Sequence, residues 1–100
     1  VPVLNKLSSV LISMDREGEA LELSIRSRNL SPDHPTAYAN LGKIYLKQRD
    51  LTSATESFQT VVEINPYHPE AHLGLAEVYE ISGDPLKARK EREIAKKLRR

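Results

Sequence analysis

The 100-residue chain has no cysteine and no tryptophan, and only one phenylalanine and one methionine. Without cysteine there is no disulfide, no thiolate metal site and no cysteine nucleophile, although no compartment follows from that. Five aromatic residues in all leave a core to be built mostly from Leu, Ile, Val and Ala. Long hydrophobic runs are missing too. The uncharged stretch Leu7–Met14 is eight residues long, against roughly 20 for a helix that spans a bilayer. No basic segment followed by an apolar one marks a signal peptide, and the start at Val1-Pro2 reads as a cut inside a longer chain. A Gly-rich phosphate loop, a nucleophile–base pair and a regularly spaced ligand set are also lacking. The sequence therefore points away from an enzyme and implies no cofactor and no metal.

What the chain does have is a period. Written in rows of 34, it puts Leu7, Leu41 and Leu75 in one column, Val10, Ile44 and Val78 in a second, and Ala20, Ala54 and Ala88 in a third. Leu30, Ile64 and Leu98 share another, and so do Leu11, Tyr45 and Tyr79; Pro32 and Pro66 align, as do His34 and His68. A fixed period without insertions means one supersecondary unit made three times, each burying its apolar face on the next.

Each unit reads as two helices. Tyr38, Leu41, Ile44 and Tyr45 recur at three- and four-residue steps, as do Ala54, Phe58, Val61 and Val62, which is the mark of one apolar helical face. Proline, glycine and aspartate supply the punctuation. Pro35 and Pro69 suit the first helical position, where a missing N–H is harmless. Asp50 reads as an N-cap, and Gly83-Asp84-Pro85 joins a helix stop to a cap and a first-turn proline. Helices are expected near 2–14, 17–30, 35–48, 51–64, 69–82 and 85–98, with no segment patterned as a strand. Short connections make successive helices antiparallel.

The charge is unevenly spread. Residues 1–84 carry seven Lys/Arg against twelve Asp/Glu, and residues 85–100 carry eight against two, so the net charge of +1 hides a basic last helix. Lys87, Arg89, Lys90, Arg92, Lys96, Lys97, Arg99 and Arg100 supply it. Glu91 and Glu93 interrupt the run and no aromatic is interleaved, which favours a solvated terminal face over nucleic-acid or membrane binding. The first helix is the opposite. Val1, Val3, Leu4, Leu7, Val10, Leu11, Ile12 and Met14 spread too widely around it for one face, so further repeats or a second copy of the chain should cover part of it.

These residues resemble the tetratricopeptide repeat family, whose 34-residue pattern runs through essentially the whole chain. The middle unit carries Tyr38, Leu41, Gly42, Tyr45, Ala54, Phe58 and Pro66 in the family's positions, with Val61 replacing an alanine. The third keeps Leu75, Ala76, Tyr79, Ala88 and Ala95, with His72 in the fourth position and Arg92 where an aromatic belongs. The first keeps Leu4, Leu7, Ala20 and Pro32 but has Ser8, Leu11, Ser24 and Ser27 as departures. Small residues such as Gly42 and Ala54 would let helices approach closely beside Tyr45 and Phe58. The resemblance implies an all-α fold of three helix-turn-helix repeats, 1–34, 35–68 and 69–100, in one right-handed superhelical stack.

It also implies a function: a non-enzymatic scaffold that binds a peptide or partner helix in a concave groove lined by the first helix of each unit. The alternative is an accessory docking or self-assembly domain of a larger enzyme or complex. Transferred by register, the peptide-facing residues are Asn5, Ser9 and Ile12 from the first unit. The second contributes Thr36, Asn40, Lys43, Leu46 and Lys47, with Ala39 beside them, and the third Leu73 and Glu77, with Glu70 and Glu80 nearby. Ile12, Leu46 and Leu73 would be the apolar anchors. The partner is thus a protein or peptide, not nucleic acid, with homo-oligomerisation through the first helix as a further option.

Two family specialisations fail on these residues. A clamp for a peptide's terminal carboxylate needs Lys, Asn and Arg at set positions, and only Asn40 matches, while Glu70 and Glu77 would repel the anion. An asparagine ladder fails because the counterparts of Asn40 are Lys6 and Gly74. His68 and His72 stand four apart, a spacing that suits a metal on a continuous helix. His68 precedes Pro69, however, and reads as a cap like His34, and His72 fills a packing position.

Overall fold

The computed structural model describes residues 2–98; Val1, Arg99 and Arg100, used in the arguments above, lie outside the described residues. Six helices follow one another: α1 (Pro2–Ser13), α2 (Glu17–Leu30), α3 (Pro35–Lys47), α4 (Leu51–Ile64), α5 (Pro69–Ile81) and α6 (Pro85–Leu98). No strand occurs among the described residues. The fold is all-α, as expected. The second helix of each pair starts at residue 17, 51 or 85, so the period of the sequence is also that of the structure.

Local chemistry explains the limits. Pro35 and Pro69 begin their helices, and the ring nitrogens of the preceding histidines act as caps. His34 Nδ1 accepts from the Thr36 backbone N–H at 3.3 Å, and His68 Nδ1 from that of Ala71 at 3.2 Å. Asp50 and Asp84 cap α4 and α6, accepting from the N–H groups of Ser53 and Lys87 at 3.3 and 3.2 Å. The expected limits differ only at the ends of α1, α3 and α5, each one residue shorter.

One turn, used three times, sets those ends. Asp15, Arg49 and Gly83 hold positive φ, at 58°, 61° and 84°, and each is the next one's counterpart in the repeat. The residue after each donates to the carbonyl five positions back: Arg16 to Leu11, Asp50 to Tyr45 and Asp84 to Tyr79, at 2.8–2.9 Å. Those two features define the left-handed helix stop that satisfies the last carbonyls. Glycine fits it without strain, whereas Asp15 and Arg49 adopt it against their Cβ atoms.

Successive helices pack as hairpins, and each hairpin packs on the next through α2 against α3 and α4 against α5. The odd-numbered helices also touch one another, α1 with α3 and α3 with α5. Among the described residues α2 does not reach α4, nor α4 α6. An inner row in contact and an outer row splayed apart make a two-layer arc, concave on the side of α1, α3 and α5.

Phe58 is the centre of the core and only 1% exposed. Its ring is received by two glycines. A methyl placed on Gly42 would lie 2.7 Å from ring atoms Cε1 and Cζ, and one on Gly74 would fall closer still, at 2.5 Å from Cε1. Gly42 thus has the packing role expected of it. Gly74, on the following unit, meets the same ring atoms, Cε1 and Cζ.

The first hairpin solves the same contact with serines. Ser8 and Ser24 are the first repeat's counterparts of Gly42 and Phe58. Both are buried; Ser8 Oγ donates to the Ala20 carbonyl at 3.1 Å, which leaves Ser24 Oγ to donate to Ser8 Oγ at 2.5 Å. A hydroxyl pair stands where the next unit has a glycine and a ring. Each hydroxyl is satisfied, as burial demands.

Candidate functional site

The inner face presents two merging depressions. The smaller, about 220 Å³, lies between α3 and α5 and is lined by Lys43, Leu46, Phe58, Glu70, Leu73, Gly74 and Glu77. The larger, about 510 Å³, continues toward the α1–α2 turn along Ile12, Asp15, Glu17, Lys47 and Arg49. Lys43, Leu46 and Glu77 line both, so the two form one groove. A third depression near the start of α1 is lined by Asn5, Lys6, Ser9, His34 and Thr36.

Ion pairs stitch the groove across units. Lys43 Nζ stands 3.2 Å from Glu70 Oε2, joining α3 to α5. Lys47 Nζ reaches back from α3 to Asp15 Oδ1 at 2.7 Å, to Glu17 Oε1 at 3.8 Å and to the Ile12 carbonyl at 3.2 Å. A cation on one of the last carbonyls of α1 also suits the negative end of that helix. Lys47's hydrogen bond, and then its charge, holds Asp15 below its usual 3.8. The same hydrogen bond, reinforced by the charges of Asp15 and Glu17, raises Lys47 above 10.5 against a smaller opposing effect of burial. Glu80 pairs with Arg92 of α6. Glu77 has no hydrogen bond or ion pair among the described residues.

The ten residues expected to face a ligand divide by environment. Lys43, Lys47, Leu73 and Glu77 line the groove with exposed or half-buried side chains. Ile12 and Leu46 also line it but are buried, each less than a tenth exposed, as part of the core. Ser9 and Thr36 flank the third depression. Asn5 and Asn40 are 4% and 2% exposed; Asn40 is bonded to α1 and Asn5 Oδ1 to α2, while Asn5 Nδ2 is buried without a partner among the described residues. Asn40 Nδ2 donates to the Asn5 carbonyl at 3.2 Å, and Ser27 Oγ donates to Asn5 Oδ1 at 2.6 Å. Ser9 Oγ lies 3.2 Å from Asn40 Oδ1 and 3.1 Å from the Asn5 carbonyl, sharing one proton between two acceptors. This polar cluster ties α1 to α2 and α3.

Register alone did not single out Phe58 and Gly74 as groove-lining residues, nor Asp15, Glu17 and Arg49. The shared column of Asp15, Arg49 and Gly83 is the signal that could have located the turn they border.

His72 is buried, with Nδ1 2.6 Å from Glu91 Oε2 and Nε2 3.0 Å from the Pro66 carbonyl. Both ring nitrogens are thus held by acceptor oxygens, one from α6 and one from the loop before α5. With both nitrogens engaged and His68 capping α5, the pair is committed to structure. No group of three or more His, Asp or Glu suited to a metal occurs among the described residues. Nor is any helix long and apolar enough to cross a membrane.

Residues 45–91 match the family described as tetratricopeptide repeat. The solved crystal structure of MamA superposes with a TM-score of 0.84 at 23% identity, over 96% of this chain. The chain is thus similar to the tetratricopeptide repeat over residues 45–91. It spans 56% of the length of the MamA chain. No curated protein matches it. Tetratricopeptide repeats generally serve as protein–protein interaction scaffolds and are typically non-catalytic.

Proposed function

We propose that this chain is a single tetratricopeptide-like domain of three repeats, part of a longer protein, whose concave face binds a peptide or helix of another protein. The observation that carries the reading is the groove itself. Preformed side chains from α3 and α5 and from the α1–α2 turn converge on it, and two of its apolar walls, Leu46 and Leu73, stand beside charged rims. Rigid helices that present their contacts in advance lower the ordering cost of binding. Lys43, Lys47, Leu73 and Glu77 make direct contact in this reading, with Ser9 and Thr36 at the far end. Asn5, Ile12, Asn40 and Leu46 fix the wall behind them. No step of chemistry is assigned to the chain. Affinity capture of partners by wild type, Lys43→Glu and Leu73→Asp tests it: the variants should lose partners that wild type retains. Equal recovery by all three refutes the groove.

A second reading, self-assembly, is favoured by α1. Val3, Leu7, Val10 and Met14 are 76%, 47%, 50% and 57% exposed and recur at steps of four, three and four, the spacing of a two-helix seam. The counterparts of Val3, Leu7 and Val10 in the second repeat, Ala37, Leu41 and Ile44, are buried, as are Ala71, Leu75 and Val78 in the third, whereas those of Met14, Gln48 and Ser82, are exposed. The face that α3 and α5 pack on a preceding hairpin is therefore bare on α1. The outer face of α6, with Arg89, Arg92 and Lys96, is too basic to fill it, which favours α1 of a second copy in a two-fold pair. Sedimentation should show a dimer that Leu7→Glu dissociates; a strict monomer at high micromolar concentration removes this reading.

A further inference from the structure

We infer that the groove selects a segment that seats one apolar side chain in the smaller depression and carries a lysine or arginine within a helical turn of it, beside Glu77. The inference rests on the groove reading above and adds the chemistry of the partner.

The apolar requirement comes from the floor. Because Gly74 has no side chain, the ring of Phe58 reaches the bottom of the depression, and Leu46 and Leu73 wall it. Its volume of about 220 Å³ is below the roughly 300–1,000 Å³ of small-molecule pockets. It suits a single side chain of the size of leucine, methionine or phenylalanine. Desolvated pockets of this kind receive the few residues that dominate a protein interface.

The basic requirement comes from the charges that remain after pairing. Lys43 is bound to Glu70, and Lys47 to Asp15 and Glu17. Arg92 is bound to Glu80. Glu77 lines both depressions and has no partner among the described residues. Arg49 lines only the larger one and stands away from the apolar seat. A carboxylate at the rim of the apolar seat is thus open to a cation. As a bound segment excludes water, the attraction between the two strengthens.

The test is selection of a displayed library of random twelve-residue peptides on the immobilised chain, with Leu73→Asp and Glu77→Lys in parallel. Glu77 is exposed, so its reversal leaves the fold intact, as circular dichroism would verify. Wild type should enrich an apolar residue with Lys or Arg within four positions. Glu77→Lys should replace the basic residue by Asp or Glu and weaken a synthetic wild-type-selected peptide about tenfold or more in fluorescence anisotropy. Enrichment that Leu73→Asp abolishes but that shows no basic bias, or that Glu77→Lys leaves unchanged, overturns the inference and leaves the groove reading standing. Enrichment indifferent to Leu73→Asp, or none at all, overturns both.

Discussion

Replacing Gly42 or Gly74 by alanine should destabilise the chain, although alanine is the better helix former. In an open helix the exchange gains about 1 kcal/mol. Here the new methyl would lie 2.7 Å from the Phe58 ring in the first case and closer in the second. The ring cannot slide away, because it is 1% exposed and held by Ala54, Val61 and Leu75 of the same cluster. Overpacking of this kind costs about 1–3 kcal/mol, so the net loss should be about 0–2 kcal/mol, larger for Gly74. Gly18 is the internal control. It lies in the first turn of α2, and a methyl there meets nothing within 4 Å, so Gly18→Ala should stabilise by up to about 1 kcal/mol. Urea unfolding followed by circular dichroism reads all three. A Phe58→Leu background sharpens the test: with the ring removed, the two core substitutions should become less harmful or even favourable, giving a coupling energy that Gly18→Ala lacks. If Gly42→Ala and Gly74→Ala stabilise wild type as Gly18→Ala does, the contact with the ring does not limit packing and the reasoning fails.

Three further expectations follow from the same contacts. Glu91→Ala should lower stability by about 1–3 kcal/mol, since it leaves the buried His72 with a nitrogen unpaired; a melt equal to wild type would show that water replaces the carboxylate without loss. Arg49→Gly should raise stability by about 0.5–1 kcal/mol, because it relieves a left-handed backbone at the end of α3, and a lower melting temperature would contradict the strain. The Lys47–Asp15 pair should be complete across neutral pH: the contribution of Asp15, whose pKa is lowered, disappears as pH falls below 3.8, and that of Lys47, whose pKa is raised, as pH climbs past 10.5. The difference in melting temperature between wild type and Lys47→Met should therefore shrink at both extremes and at high salt, and a difference constant with pH would mean that only the lysine stem contributes.

Helix positions were legible in the sequence because they are local events. Pro35, Pro69 and Asp50 act on backbone within three residues of themselves, and the structure departs from expectation only at α1, α3 and α5, where the left-handed turn stops each helix one residue sooner. The candidate site was legible only as a surface. Register places Lys43, Lys47, Leu73 and Glu77 on the inner row, but a column says nothing about which residue of the next unit lies opposite. Gly74 appeared only as a mismatch to an asparagine ladder, yet it is the residue that lets Phe58 reach the groove floor. Asn5 and Asn40 occupy inner-row positions, but Asn40 turns to the Asn5 carbonyl of α1 and Asn5 to Ser27 of α2, which withdraws both from solvent.

The departures of the first repeat have a physical logic that the repeat pattern hides. Where Gly42, Phe58 and Gly74 form an apolar contact that crosses from one unit to the next, the residues one repeat earlier are Ser8, Ser24 and Asn40. A phenylalanine at Ser24 would meet a hydroxyl at one neighbouring position and an amide at the other, so the ring could not be introduced alone. The serines instead pair with each other, and Asn40 finds Asn5 and Ser9. One junction is therefore dry and the other hydrogen-bonded, with Asn5 Nδ2 its one buried polar side-chain atom left without a partner among the described residues, and the two differ at several positions together. The wet junction closes its own inner face with amide contacts. The dry one keeps glycine at its inner edge and so leaves an apolar hollow. The apolar depression between α3 and α5 exists for that reason, and the departures of the first repeat mark where its counterpart is filled by hydrogen-bonded side chains instead.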